Sequence, residues 1–168
     1  MAHNDPLLQK IDSTICMSRL SLLAIIMGTD KTERMAKVAA VLKQLRPGAY
    51  LLGTGPSTVG IIPLSVDEIT IGRYATILEE LPDSVPDYTV NDMAYFTPFE
   101  VSRSHARIIR RERNGEFEFM VEDMGSTCGT FVNGRRADEG LLLVHGDVIS
   151  LGPSQASTYI FYMVAQAM

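Results

Sequence analysis

The sequence predicts a mainly β fold, a sandwich of short strands, preceded by an N-terminal α-helical hairpin. From Tyr50 onward, nine short runs rich in β-branched and aromatic residues alternate with turn clusters, the rhythm of a sandwich or barrel. Two Asn-Gly pairs, Asn114-Gly115 and Asn133-Gly134, separate such runs. Both residue types tolerate the positive φ that a two-residue hairpin turn needs. Before Pro47 the apolar residues recur instead at helical spacing. Residues 1–46 therefore read as a helical extension and residues 47–168 as the β domain.

In the extension, Leu8, Ile11, Ile15, Leu22 and Ile26 fall near one helical face, and Gly28 is placed to cap it. Asp30-Lys-Thr-Glu33 has the form of a capping box. Met35, Val38, Ala39, Leu42 and Leu45 then mark a second helix, which Pro47-Gly48 stops. The short connection predicts an antiparallel pair. The strands expected after it are seeded by Tyr50, Ile61, Ile69, Ala106, Phe117, Thr130, Leu141, Val148 and Tyr159. Phe117, Phe119 and Val121 alternate with polar or flexible neighbours, as a half-buried strand does. Residues 74–101 read as one long irregular loop with six acids and no Lys or Arg between Arg73 and Arg103. Long loops are usually functional or mobile.

Charge is unevenly placed. All four lysines precede Pro47, and residues 1–46 hold seven bases against four acids, net +3. The remainder holds eight arginines against sixteen acids, net −8. A net-acidic body argues against nucleic-acid binding, which needs a basic face. The apolar run at residues 20–27 is too short for the roughly 20 residues that span a bilayer, so no membrane association is expected. Two cysteines, Cys16 and Cys128, form neither a disulfide framework nor a metal-ligand cluster. Reduced thiols fit a cytoplasmic protein, and no cofactor is expected.

Four clusters carry the chemistry: Gly72-Arg73, Ser102-Arg-Ser-His105, residues 123–134 with Gly125-Ser-Thr-Cys-Gly-Thr130, and residues 145–152 with Gly146-Asp-Val-Ile-Ser-Leu-Gly152. Guanidinium, hydroxyl and backbone N–H donors beside glycines are what a phosphate site needs. In this order they resemble the forkhead-associated (FHA) domain, over roughly residues 49–164. The family pattern is a strand ending in Gly-Arg, then Ser-x-x-His-Ala, then Gly-Ser-Thr-Asn-Gly-Thr-Phe-Val-Asn-Gly, then Gly-Asp-x-Ile-x-Leu-Gly. The resemblance implies an FHA-type sandwich that binds phosphothreonine in a partner protein and catalyses nothing.

Residue by residue, it implies that Arg73 pairs with the phosphate, and that Ser102 donates its hydroxyl and its backbone N–H. Arg103 stands where the family often places a further ligand contact. Thr127 would add a hydroxyl or backbone donor. Gly72 and Gly129 would allow tight turns, His105 would orient the Ser102 loop, and Asn133 would brace the framework. Cys128 departs from the pattern. The family usually has Asn there, bonded to the ligand's main chain, and a thiol is a poor substitute.

Two enzyme readings fail. Ser102, His105 and Asp123 lack a Gly-x-Ser-x-Gly elbow. Gly55 and Gly60 have P-loop spacing, but Ile61-Ile62 replaces the required Lys-Ser/Thr. The alternative is an FHA-fold scaffold or oligomerisation protein that has lost phosphate recognition. If the acidic loop borders the ligand, bases after the phosphothreonine are favoured. The helical hairpin either docks on the sandwich, as its charge favours, or forms a homodimer through residues 6–46.

Overall fold

The computed structural model describes residues 5–9, 31–55, 57–58, 60–75, 79, 85–90, 99–154 and 156–166. Eleven strands follow one helix in the described chain: α1 (Lys31–Leu42), β1 (Gly48–Gly53), β2 (Gly60–Pro63), β3 (Glu68–Arg73), β4 (Tyr88–Val90), β5 (Ala106–Arg113), β6 (Glu116–Asp123), β7 (Thr130–Val132), β8 (Arg135–Arg136), β9 (Leu141–Leu142), β10 (Val148–Leu151) and β11 (Thr158–Val164). They build two sheets, ordered β2-β1-β11-β10-β7-β8 and β4-β3-β5-β6-β9. The fold is the sandwich that the sequence predicts.

The core lies between the sheets. Ala49, Leu51, Ile149, Leu151, Tyr159 and Phe161 of the first face Ile69, Ile71, Ala106, Ile108, Phe119 and Val121 of the second. The Phe119 and Phe161 rings meet with centroids 5.4 Å apart. Residues 114–115 and 133–134 all have positive φ, between 50° and 82°. They close the β5–β6 and β7–β8 hairpins, whose registers pair Arg113 with Glu116 and Val132 with Arg135.

The first sheet is covered on both faces. Tyr50, Leu52, Val148, Ile160 and Tyr162, the alternate residues of its strands, pack with Leu7, Leu8, Val38, Ala39, Leu42 and Leu45 of the extension. This explains why β1 and β11 read as near-continuous apolar runs rather than alternating ones. The described part of the helical extension thus docks on the sandwich. Helix α1 ends at Leu42 rather than at Pro47, closed by bonds from Gln44 N to Val41 O and from Leu45 N to Leu42 O. Residues 6–9 are helical. The rest of the first helix, Gly28, Asp30 and Cys16 lie outside the described residues.

Three further departures from the sequence reading are physical. Residues 74–101 are not wholly irregular, since β4 pairs in parallel with β3, Tyr88 opposite Ile71. Asp87 fixes that strand by accepting from Thr70 N at 2.8 Å and Thr70 Oγ1 at 2.9 Å. Phe117 does not join Phe119 and Val121 in the core; paired with Glu112 next to the hairpin turn, it is half exposed, with the Arg110 guanidinium 4.5 Å from its ring. The run from Leu141 to Val144 pairs only over β9, and Val144 is exposed.

Uncovering Ile160 and Leu52 costs about 1.5–3 kcal/mol for each large aliphatic side chain. A chain starting at Gly48 is expected to bind a hydrophobic dye such as anilinonaphthalene sulfonate and to unfold at lower urea than the full chain. Equal stability and no dye binding would show that the extension does not cover this face.

Candidate functional site

The first two clusters of the site meet through the backbone. Arg73 N donates to Ser102 O at 3.2 Å, and His105 N to Ile71 O at 3.0 Å. Gly72 permits the approach. A Cβ there would stand 2.0 Å from the Arg103 carbonyl oxygen. Its backbone is that of a strand, so the expected tight turn is corrected to a close crossing of main chains. Gly129 does sit at positive φ, 86°.

His105 ties the second cluster to the third. Its Nδ1 accepts from Ser102 N at 2.9 Å, and its Nε2 lies 2.9 Å from Gly129 O. An N–H can only donate, and a carbonyl can only accept. The ring is therefore neutral, with its proton on Nε2. It has no exposed area, and burial pushes its pKa below the ordinary value. Asp123 organises the third loop, accepting from Ser126 N at 2.8 Å, Ser126 Oγ at 2.5 Å and Thr130 Oγ1 at 2.7 Å. Burial alone would raise its pKa, but the bonds from Ser126 and Thr130 hold it below the usual carboxylate range. Ser126 Oγ in turn accepts from Gly129 N.

Ser102 Oγ accepts from Thr127 N at 3.1 Å. These bonds decide which donors remain. Ser102 N is bonded to His105 and Thr127 N to Ser102 Oγ within the chain. The Ser102 hydroxyl keeps its own proton, and Thr127 is exposed. Cys128 is half-buried at the rim of the same loop. Arg103 is partly exposed beside Ser102. Asn133 braces from outside: its Nδ2 donates to Asp147 Oδ1 at 2.7 Å, and its Oδ1 accepts from Val148 N at 3.0 Å.

Arg73 has partners within the chain. It is 8% exposed and already paired. Nη1 donates to Glu79 Oε2 and Nη2 to Glu79 Oε1, both at 2.7 Å, and Nη1 also to Tyr74 O at 3.0 Å. These Glu79 bonds hold the guanidinium still more firmly protonated than usual. Its Cζ lies 5.6 Å from the Phe99 ring. Nothing in the composition of residues 74–101 marks Glu79 out from its acidic neighbours. The other described acids there are also engaged within the chain: Asp87 with Thr70, and Glu100 with Ser154 N and Oγ. Glu80, Asp83 and Asp92 lie outside the described residues. Among the described residues no group of His, Cys, Asp or Glu is arranged to hold a metal ion, and no helix is long and apolar enough to cross a membrane.

A two-sheet sandwich whose three loops present Arg, Ser and Thr at one end defines the class, and sequence comparison agrees. The family model described as FHA domain matches residues 69–152, half of the chain. The chain belongs to the FHA-domain family. Solved structures share the fold. The FHA domain of the CT664 protein from Chlamydia trachomatis is 22% identical with a TM-score of 0.52, covering 70% of this chain and 98% of that one. The yeast Pml1 splicing factor is 19% identical with a TM-score of 0.57, covering 77% and 91%. The MEK1 FHA domain, solved with a phosphothreonine peptide of HOP1, is 22% identical with a TM-score of 0.50, covering 70% and 98%. No curated protein matches the chain.

Both buried groups make the loops acid-sensitive. A His whose folded pKa is depressed lets the unfolded chain bind its proton first. Its contribution is complete above about pH 6.5 and declines as pH falls below that. Asp123, also depressed, contributes above about pH 4 and is lost as pH falls through its folded value. Urea unfolding should therefore weaken in two steps on acidification. His105→Ala is expected to cost about 1–3 kcal/mol, since it strands the Ser102 N–H, and to abolish the upper step. An unchanged upper step in that variant would assign it to another group.

Proposed function

We propose that this protein is a phosphothreonine-dependent interaction module, binding phosphorylated partner proteins and catalysing no reaction. One observation carries the reading: hydrogen bonds run from Arg73 to the Ser102 loop and from Thr127 to Ser102 Oγ, gathering a guanidinium and two hydroxyl residues at one end of the sandwich. The MEK1 and HOP1 complex supports the ligand class. Arg73 takes the phosphate as a charge-assisted, two-pronged pair. Ser102 Oγ donates its free proton to the same group. Thr127 and Arg103 stand at the edges, and Cys128 faces the ligand's main chain. His105, Gly72, Gly129 and Asn133 hold the frame.

A phospho-independent scaffold is the second reading, and the engagement of Arg73 by Glu79 favours it. Titration with an oriented phosphothreonine peptide library separates the two. The selected peptide should bind only when phosphorylated, and Arg73→Ala should reduce binding below detection. Because Arg73 also pairs internally, circular dichroism must show the variant folded. Equal affinity of variant and wild type would remove Arg73 from the site.

Cys128 gives a second prediction. A side-chain amide offers a full donor and acceptor where a thiol offers weak ones. A net hydrogen bond contributes about 0.5–1.5 kcal/mol, so Cys128→Asn should tighten phosphopeptide binding by up to about tenfold. The position is half-buried at a rim, so the melting temperature should hold. A lowered melting temperature with no gain in affinity would mean that the thiol packs inward instead.

A further inference from the structure

We propose that Glu79 is a built-in occupant of the phosphate site, so that a ligand binds Arg73 by displacing it, and that this exchange selects phosphate over carboxylate ligands. The inference rests on the phosphopeptide reading above.

The pairing has the geometry of a ligand complex. Both terminal nitrogens of Arg73 meet both carboxylate oxygens of Glu79 at 2.7 Å, the fork-to-fork arrangement that guanidinium makes with carboxylate and phosphate alike. Arg73 is nine-tenths buried while the Glu79 side chain is 29% exposed. The cation is therefore the fixed partner and the anion the one that can leave. Leaving a nearly buried guanidinium without a counter-charge is costly. Exchange of one anion for another keeps it paired in both states.

The carboxylate also satisfies Arg73 incompletely. Arg73 Nε is buried with no acceptor among the described residues. A carboxylate has two oxygens and one negative charge. A phosphothreonine phosphate has three acceptor oxygens and about −1.5 to −2 charge at pH 7. An incoming phosphate can thus offer more than Glu79 does.

An incoming Asp or Glu cannot. It presents the same group as Glu79, and Glu79 is only six residues from Arg73 in the chain. Short tethers give effective concentrations in the millimolar range, which an untethered carboxylate at micromolar concentration does not match. The internal pair therefore sets a threshold that acidic sequences fall below and phosphorylated ones exceed.

The test compares wild type with Glu79→Gln and Glu79→Ala by calorimetry. The probes are the peptide selected from the phosphothreonine library and the same peptide with Glu in place of phosphothreonine. Glu79→Ala guards against a Gln amide that still contacts the guanidinium. Both variants should bind the phosphopeptide about tenfold tighter than wild type, and should bind the Glu peptide where wild type does not. Binding by the variants but not by wild type supports the inference more strongly. Phosphopeptide affinity equal in wild type and both variants overturns the inference and leaves the phosphopeptide reading standing. No phosphopeptide binding by any of the three overturns both.

Discussion

A neutral imidazole joins two of the site loops, beside the backbone bonds that run between them. His105 receives an N–H from Ser102 and gives its own to the Gly129 carbonyl. Without it the Ser102 N–H would have no partner, which costs about 1–3 kcal/mol, and the Gly129 carbonyl would keep only the bond from Gly152 N. No hydroxyl or carboxylate of similar size could replace it, because the position needs an acceptor and a donor on opposite edges of one rigid ring. Protonation would turn the acceptor into a second donor facing Ser102 N–H. The site geometry therefore depends on keeping this ring dry and neutral, and burial does both.

The second sheet alone does not hold the site. Gly152 N donates to Gly129 O, the same carbonyl that His105 meets, and it comes from the turn after β10 in the first sheet. Glu100 reaches across to Ser154 N and Oγ in that turn. The loops are thus anchored to both layers of the sandwich. The first layer is itself clamped on its outer face by the helical extension.

The sandwich was legible because its signals are local. Asn-Gly pairs report positive φ, and apolar runs report burial. Strand β4 was not, since three residues in a parallel pair owe their conformation to Ile71 and Thr70, far along the chain. Phe117 continued an alternation that the hairpin end had already carried past the core. At the site, the residue types in their clusters pointed to the assembly end, but hydrogen-bond ownership was not readable. That Ser102 N and Thr127 N are taken by neighbours follows only from the closeness of three loops. Gly72 showed the same limit: the sequence marks a glycine, and only the Arg103 carbonyl beside it shows that the reason is space rather than φ.

The acidity of residues 74–101 has the same lesson in electrostatic form. Six acids without a base suggest a negative surface that recruits basic ligands. Yet charge counts say nothing of where each carboxylate is engaged. Asp87 accepts two Thr70 donors, Glu100 holds the Ser154 turn, and Glu79 neutralises Arg73. Of these described acids only Glu79 is paired with a cation; Asp87 and Glu100 keep their charge while accepting from neutral donors. Of the three, Asp87 joins strands and Glu100 joins turns, and displacing either would loosen the framework. Glu79 alone is matched to a side chain that an external anion could also satisfy. That side chain, Arg73, is the most buried positive charge in the site.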